Sequence, residues 1–160
     1  MSARRIGVVG GGTMGAGIAA ECLRAGLAVR VLTSTPGSAD RARTRVLRLL
    51  DRAHAKGRID DAGRRDAERR AQFGADPDAL ADRDFVIEAA PESMELKLEL
   101  FTAAAAAAPP DAVFATNTSG LSVTEMAAAS GRPERFAGMH FFNPVHLMRL
   151  LELVRGFETS

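Results

Sequence analysis

In the segment MHFFNPVHLMRLLELV, from Met139 to Val154, one histidine and one glutamate could do proton chemistry together. Charged side chains are rarely buried without a partner. Glu152, set between Leu151 and Leu153, therefore calls for one. If GMHFF and LLELV pair antiparallel around the turn at Asn143-Pro144, in a hairpin centred on residue 146, the midpoint of 140 and 152, then His140 stands opposite Glu152. Directly opposed side chains share a face, with Cβ atoms about 5 Å apart. A carboxylate there fixes the histidine tautomer, orients the ring and stabilises an imidazolium. The pair would serve as a general base. The alternative is a structural His–Glu pair at a sheet edge. His54, on a charged stretch, and His146, in the presumed turn, take no role.

A second chemical signal is GGGTMG near the amino terminus. Gly10, Gly12 and Gly15, with Thr13 and Met14 between, spell G-x-G-x-x-G after the aliphatic run RIGVV. The first glycine permits a tight turn and the second lets a pyrophosphate approach the backbone. The third lets helix and strand pack closely, with the helix amino terminus facing the phosphates. Dinucleotide binding is the expectation; a glycine-rich turn without a ligand is the alternative. The next strand should end in an acid that holds the ribose 2′-hydroxyl. It ends instead in VLTST, with Thr33 in the acid's place. A hydroxyl can donate to a 2′-phosphate, so NADP becomes possible beside NAD.

Alternating strands and helices must position these groups. The strands are RIGVVG, LAVRVLT (Leu27 to Thr33), a short AQF (Ala71 to Phe73), DFVIEAA (Asp84 to Ala90) and DAVFATNTS, followed by the two hairpin strands. Between them the pattern is helical in TMGAGIAAECLRAG, from about Asp40 to Lys56, and in the charged, loosely packed GRIDDAGRRDAERRAQ. It is helical again in SMELKLELFTAAAAAA, capped by Ser93 and stopped by Pro109, and in SVTEMAAAS. Such alternation predicts an α/β fold: a Rossmann-type doubly wound, mostly parallel sheet with a helical hairpin insertion and antiparallel edge strands. Ligands of such sheets sit at the carboxyl ends of the strands.

With 160 residues, 46% of them apolar, the chain can bury one core, and residues 1–160 are expected to form one dinucleotide-binding domain. A net charge of +1 makes no general case for nucleic acid or a membrane surface. Cys22 is the one cysteine, so no intrachain disulfide can form and a reducing, cytoplasmic location is expected. MSARR leads straight into a strand, which leaves no room for a signal peptide, and no apolar run is long enough to span a bilayer. No metal site is expected.

Four stretches, GVVGGGTMGAGIA, FVIEAAPESMELKLELF, ATNTSGLSVTEMA and RFAGMHFFNPVHLMRLLELVRG, give the chain a resemblance over nearly its whole length. It resembles the amino-terminal domain of the L-3-hydroxyacyl-CoA dehydrogenase family, which includes 3-hydroxybutyryl-CoA dehydrogenases. The resemblance implies oxidation of a 3-hydroxyacyl thioester to the 3-ketoacyl thioester with NAD. It implies that His140 is the base and Glu152 its partner, with Ser119 near the substrate hydroxyl and the nicotinamide. It places Asn143 on the nicotinamide side, Glu92 and Lys97 along the cofactor cleft, and Lys56 at the coenzyme A phosphates. Thr33 departs from the family, as do Thr116 and Gly120 beside NTS, where serines are usual. The family's helical second domain, which forms the homodimer and closes the acyl pocket, would begin where RGFETS ends. A fragment or isolated module, weakly active or inactive and dimeric only with that domain, is therefore expected. An acyl carrier protein as thioester carrier, in an enzyme of secondary metabolism, and a nucleotide-binding module without turnover are the alternatives.

Overall fold

A computed structural model describes residues 5–160. The leader expected to be lacking at Met1–Arg4 lies outside the described residues. Seven strands form one sheet: β1 (Arg5–Val9), β2 (Ala28–Leu32), β3 (Ala71–Gly74), β4 (Phe85–Glu88), β5 (Val113–Thr116), β6 (Phe136–Phe141) and β7 (Leu151–Arg155). Their order is β3-β2-β1-β4-β5-β6-β7. All neighbours are parallel except β6 and β7, which pair antiparallel. Strand order reverses between β1 and β4, and ligands of such sheets bind at the carboxyl ends of the strands at that point.

Among the described residues, five α-helices cover the sheet: α1 (Thr13–Arg24), α2 (Pro36–Ala55), α3 (Asp61–Arg70), α4 (Met94–Ala107) and α5 (Val123–Ala129). The cores on the two faces follow from strand alternation. Ile6, Val8, Val29 and Val31 meet Ile18 and Leu23 of α1 and Val46 and Leu50 of α2. Val9, Leu32, Val86 and Phe114 meet Phe101 of α4 and Met126 of α5. Helices on both faces make the doubly wound layering that βαβ alternation requires. The pair α2–α3 is the expected helical hairpin, and of α3 only Ala67 is buried, as its charged sequence implies.

Two details differ from the pattern read along the chain. Helix α2 begins at Pro36, not near Asp40, because Thr35 and Ser38 exchange capping-box hydrogen bonds around a first-turn proline. Serine in place of the usual Glu or Gln hides that box. Single 3-10 turns at Pro77–Leu80 and Pro133–Arg135 lead into β4 and β6.

Candidate active site

The hairpin register pairs Met139 with Leu153, His140 with Glu152 and Phe141 with Leu151. His140 Nδ1 lies 2.8 Å from Glu152 Oε2, so the facing pair deduced from spacing is realised. With Nδ1 engaged, Nε2 is the ring nitrogen left for a substrate proton. The ring is part-buried beside Phe142, their centroids 4.5 Å apart. Glu152 itself is not buried. All five residues of β7 are exposed, Leu153 at 70%. Leu147, Met148, Leu150, Leu151, Leu153, Val154 and Phe157 all lack cover, and exposed apolar surface of this kind marks a contact face.

The loop after β5 ties this hairpin to the centre of the sheet. Asn117 Oδ1 accepts the Phe141 N–H at 2.8 Å, and the Asn117 N–H donates to the Glu88 carbonyl at 2.8 Å. Neighbouring Thr118 Oγ1 and the Ser119 N–H donate to Glu92 Oε1 at 2.5 and 3.0 Å, and Ser119 Oγ stands 3.4 Å from the same oxygen. Burial pushes the Glu92 carboxyl up. The Thr118 hydroxyl, the Ser119 amide and the Lys97 ammonium outweigh it and hold the group below the ordinary glutamate value.

Below this loop lies a buried cluster that the sequence reading did not assemble, although the resemblance named Glu92 and Lys97 along the cofactor cleft. Lys97 is 1% exposed, and its ammonium donates to Glu88 Oε1 at 2.6 Å, with Glu92 Oε2 at 3.4 Å. Glu88 Oε1 also accepts the Ala90 N–H, and Oε2 accepts the Thr116 hydroxyl at 2.6 Å. Lys97 therefore sits beneath the cleft, joining a fully buried acid to the partly exposed Glu92. Thr116 holds a structural hydrogen bond.

The glycine turn opens at the same end of the sheet. Gly10 has φ of 111°, and a Cβ there would stand 2.5 Å from the Ala89 carbonyl oxygen. A Cβ at Gly15 would stand 1.9 Å from the Gly10 carbonyl oxygen, which is the close helix–strand approach expected of the third glycine. A Cβ at Gly12 would meet nothing within 4 Å. Open space above that backbone, at the start of α1 with Thr13 and Met14, suits a pyrophosphate. At the end of β2, Thr33 Oγ1 donates towards the Thr35 carbonyl at 3.1 Å or that of Gly74 at 3.4 Å. Its one proton is directed at backbone, and its methyl group faces Gly11.

Asn143 is exposed two residues past β6. The following loop packs on α1: a Cβ at Gly17 would lie 2.8 Å from Val145 Cγ2. Lys56 ends α2 and lines a groove of about 290 Å³ with Arg24, Arg52, Arg58 and His146. Among these cations Arg24 is neutralised by Glu21 at 2.6 Å. Arg52 and Arg58 were not singled out from the sequence, because a basic residue on a charged helix carries no sign of the groove it lines. Among the described residues no helix is long and apolar enough to cross a membrane.

Residues 5–160 match the family model described as 3-hydroxyacyl-CoA dehydrogenase, NAD binding domain. A probable 3-hydroxybutyryl-CoA dehydrogenase of Deinococcus radiodurans is 39% identical over 156 residues, covering 98% of this chain and 56% of the relative. A 3-hydroxybutyryl-CoA dehydrogenase of Mycobacterium tuberculosis is 40% identical over 158 residues, with 98% and 55% covered. The crystal structure of the (S)-3-hydroxybutyryl-CoA dehydrogenase of Ralstonia eutropha superposes with a TM-score of 0.94 at 39% identity, covering 99% of this chain and 56% of that one. The chain thus spans a little over half the length of these relatives. On sequence and on fold alike, the chain belongs to the family of 3-hydroxyacyl-CoA dehydrogenase NAD-binding domains.

Proposed function

We propose that this domain supplies the cofactor site and the catalytic base of a 3-hydroxyacyl-CoA dehydrogenase. The observation that carries the proposal is the His140–Glu152 pair at the same end of the sheet as the open turn at Gly12. Glu152 holds Nδ1–H, so Nε2 faces the substrate as acceptor and takes the proton of the C3 hydroxyl. NAD, when bound, accepts the hydride that leaves the same carbon. In the reverse direction the imidazolium returns its proton to the ketone oxygen. Ser119, oriented by Glu92, stands at the substrate hydroxyl, and Asn143 lies on the nicotinamide side. Lys56 and its groove receive the coenzyme A phosphates, whose charge the neighbouring Arg52 and Arg58 complement.

Several finer assignments belong to the same proposal. Residues 5–160 act as one dinucleotide-binding unit. A helical second domain and a homodimer complete the enzyme and cover the apolar edge around Leu153 and Phe157. Thr33 in place of an acid weakens the usual discrimination against NADP, so NADP can serve beside NAD. The location is cytoplasmic. Its support is the lone Cys22, whose thiol burial first and Glu21 second push up to about 11, so that it stays protonated and inert at neutral pH.

Calorimetric titration of the 160-residue chain with NADH tests the cofactor site. Binding is expected, and Gly12→Leu is expected to abolish it while far-UV circular dichroism and Tm stay put, since a Cβ at Gly12 meets nothing of the protein within 4 Å. No binding at millimolar NADH would refute the assignment. Turnover is read by NADH formation from 3-hydroxybutyryl-CoA in protein that spans the relatives' full length.

A further inference from the structure

We infer that Arg45 selects the cofactor, its guanidinium receiving the adenosine 2′-phosphate of NADP(H) beside the glycine turn. The inference rests on the reading of that turn as the dinucleotide site. Three elements meet there. A Cβ on Gly11 would stand 2.5 Å from Ala42 Cβ of α2 and 2.9 Å from Thr33 Cγ2 at the end of β2. Arg45 follows Ala42 by three residues, so both lie on the helix face turned to the glycines. Its Nη1 reaches the Gly11 carbonyl at 3.2 Å.

That neutral carbonyl is the only hydrogen-bond partner of Arg45 among the described residues, which hold no carboxylate in ion-pair range of it. Arg64, Arg69 and Arg70 on α3 each hold one. The carboxylate nearest in sequence on α2, Asp40, lines a different groove with Arg43, Glu68 and Phe73. Arg41, one turn earlier, lies beside Gly37 and adds positive charge.

The end of β2 is where an NAD site presents an acid, which accepts the ribose 2′-hydroxyl and repels a phosphate; an arginine nearby accommodates the phosphate instead. Here the acid is Thr33, its hydroxyl proton aimed at backbone carbonyls. Neither the repulsion nor a strong 2′-hydroxyl acceptor remains. What remains is a guanidinium that holds only the Gly11 carbonyl among the described residues, the group whose planar fork fits phosphate. The cofactor class it favours is NADP(H), or both nicotinamide dinucleotides nearly alike.

Titration of the 160-residue chain with NADH and with NADPH, at low and at raised salt, tests this. NADPH should bind at least as well as NADH and lose more affinity with added salt, because an exposed phosphate contact is screened. Arg45→Ala should lower the NADPH-to-NADH affinity ratio about tenfold, equivalent to about 1.4 kcal/mol. Arg45→Lys should keep part of the ratio by retaining the charge. A ratio that changes less than about threefold in Arg45→Ala overturns the inference, as does wild-type protein that binds NADH but not NADPH. If neither dinucleotide binds, the cofactor site itself is wrong, and that outcome is separable from the other two.

Discussion

Two carboxylates at the carboxyl end of this sheet hold nitrogen partners at nearly equal distance, one an ammonium and one an imidazole. Lys97–Glu88 spans 2.6 Å with both side chains 1% exposed, and His140–Glu152 spans 2.8 Å with the carboxylate 52% exposed. Burial separates their uses. The inner pair has every oxygen and its ammonium committed to protein: Glu88 to Lys97, Ala90 and Thr116. It cannot release a partner without leaving a charge in the core. The outer pair has one ring nitrogen still to spend and stands where a substrate could arrive. One sets the floor of the cleft, and the other works in it.

The comparison can be broken from either side. The largest effect expected is on His140→Gln in protein of the relatives' full length. Loss of a general base should lower kcat by about 10²–10⁴-fold, with Tm nearly unchanged. A kcat near wild type would place the base elsewhere. Next in size is Lys97→Met, where Glu88 is left buried and unpaired. Breaking such a pair costs about 3–5 kcal/mol, read by urea unfolding of the 160-residue chain. Replacing Glu88 as well should recover only part, since Ala90 N–H and Thr116 Oγ1 then lose their acceptor. A Lys97→Met protein as stable as wild type would show that the cluster does not hold the fold.

A smaller effect belongs to Glu152→Gln, which keeps the hydrogen bond but removes the charge beside the imidazolium. In a double-mutant cycle with His140→Gln the two losses in kcat should not multiply, because the residues act as one unit. Clean multiplication would mean they act separately. The smallest effect concerns Glu92, which meets Lys97 of the inner pair and Ser119 of the loop after β5, and whose side chain is 44% exposed. Its carboxyl is held below the ordinary glutamate value in the folded protein. The stability it contributes is therefore complete above that ordinary value, about 4.3, and is lost as pH falls through the lower folded value. The Tm gap between wild type and Glu92→Gln should be steady at neutral pH and close below about pH 4. A gap that persists in acid would show that the carboxylate charge is not its source.

The two regions were unequally legible in the sequence. The outer pair follows from spacing once the hairpin is centred on residue 146, because antiparallel register forces residues equidistant from a turn onto one face, and the mostly parallel, doubly wound sheet follows from βαβ alternation. The inner cluster does not. Glu88 ends the strand FVIE, and an acid there looks the same whether it meets solvent or a lysine folded over it from α4. Lys97 was legible only by resemblance, as a lining of the cleft, while its depth depends on how α4 packs. Asn117, which joins β5 to β6 through the Phe141 amide, reads in sequence as one more polar turn residue. The capping box at Thr35 escaped because Ser38 fills a place where a longer side chain is the usual sign.

The glycine turn divides two kinds of selection within four residues. At Gly15 an added methyl collides with the Gly10 carbonyl, so substitution is felt by the folded chain itself. At Gly12 the same methyl enters empty space, and only a bound phosphate would notice. A variant library sorted by cellular abundance would lose Gly15 substitutions and keep those at Gly12. Sorted for dinucleotide capture, it would lose both. The difference between the two sorted pools would mark the ligand's footprint on the turn without a ligand ever being seen.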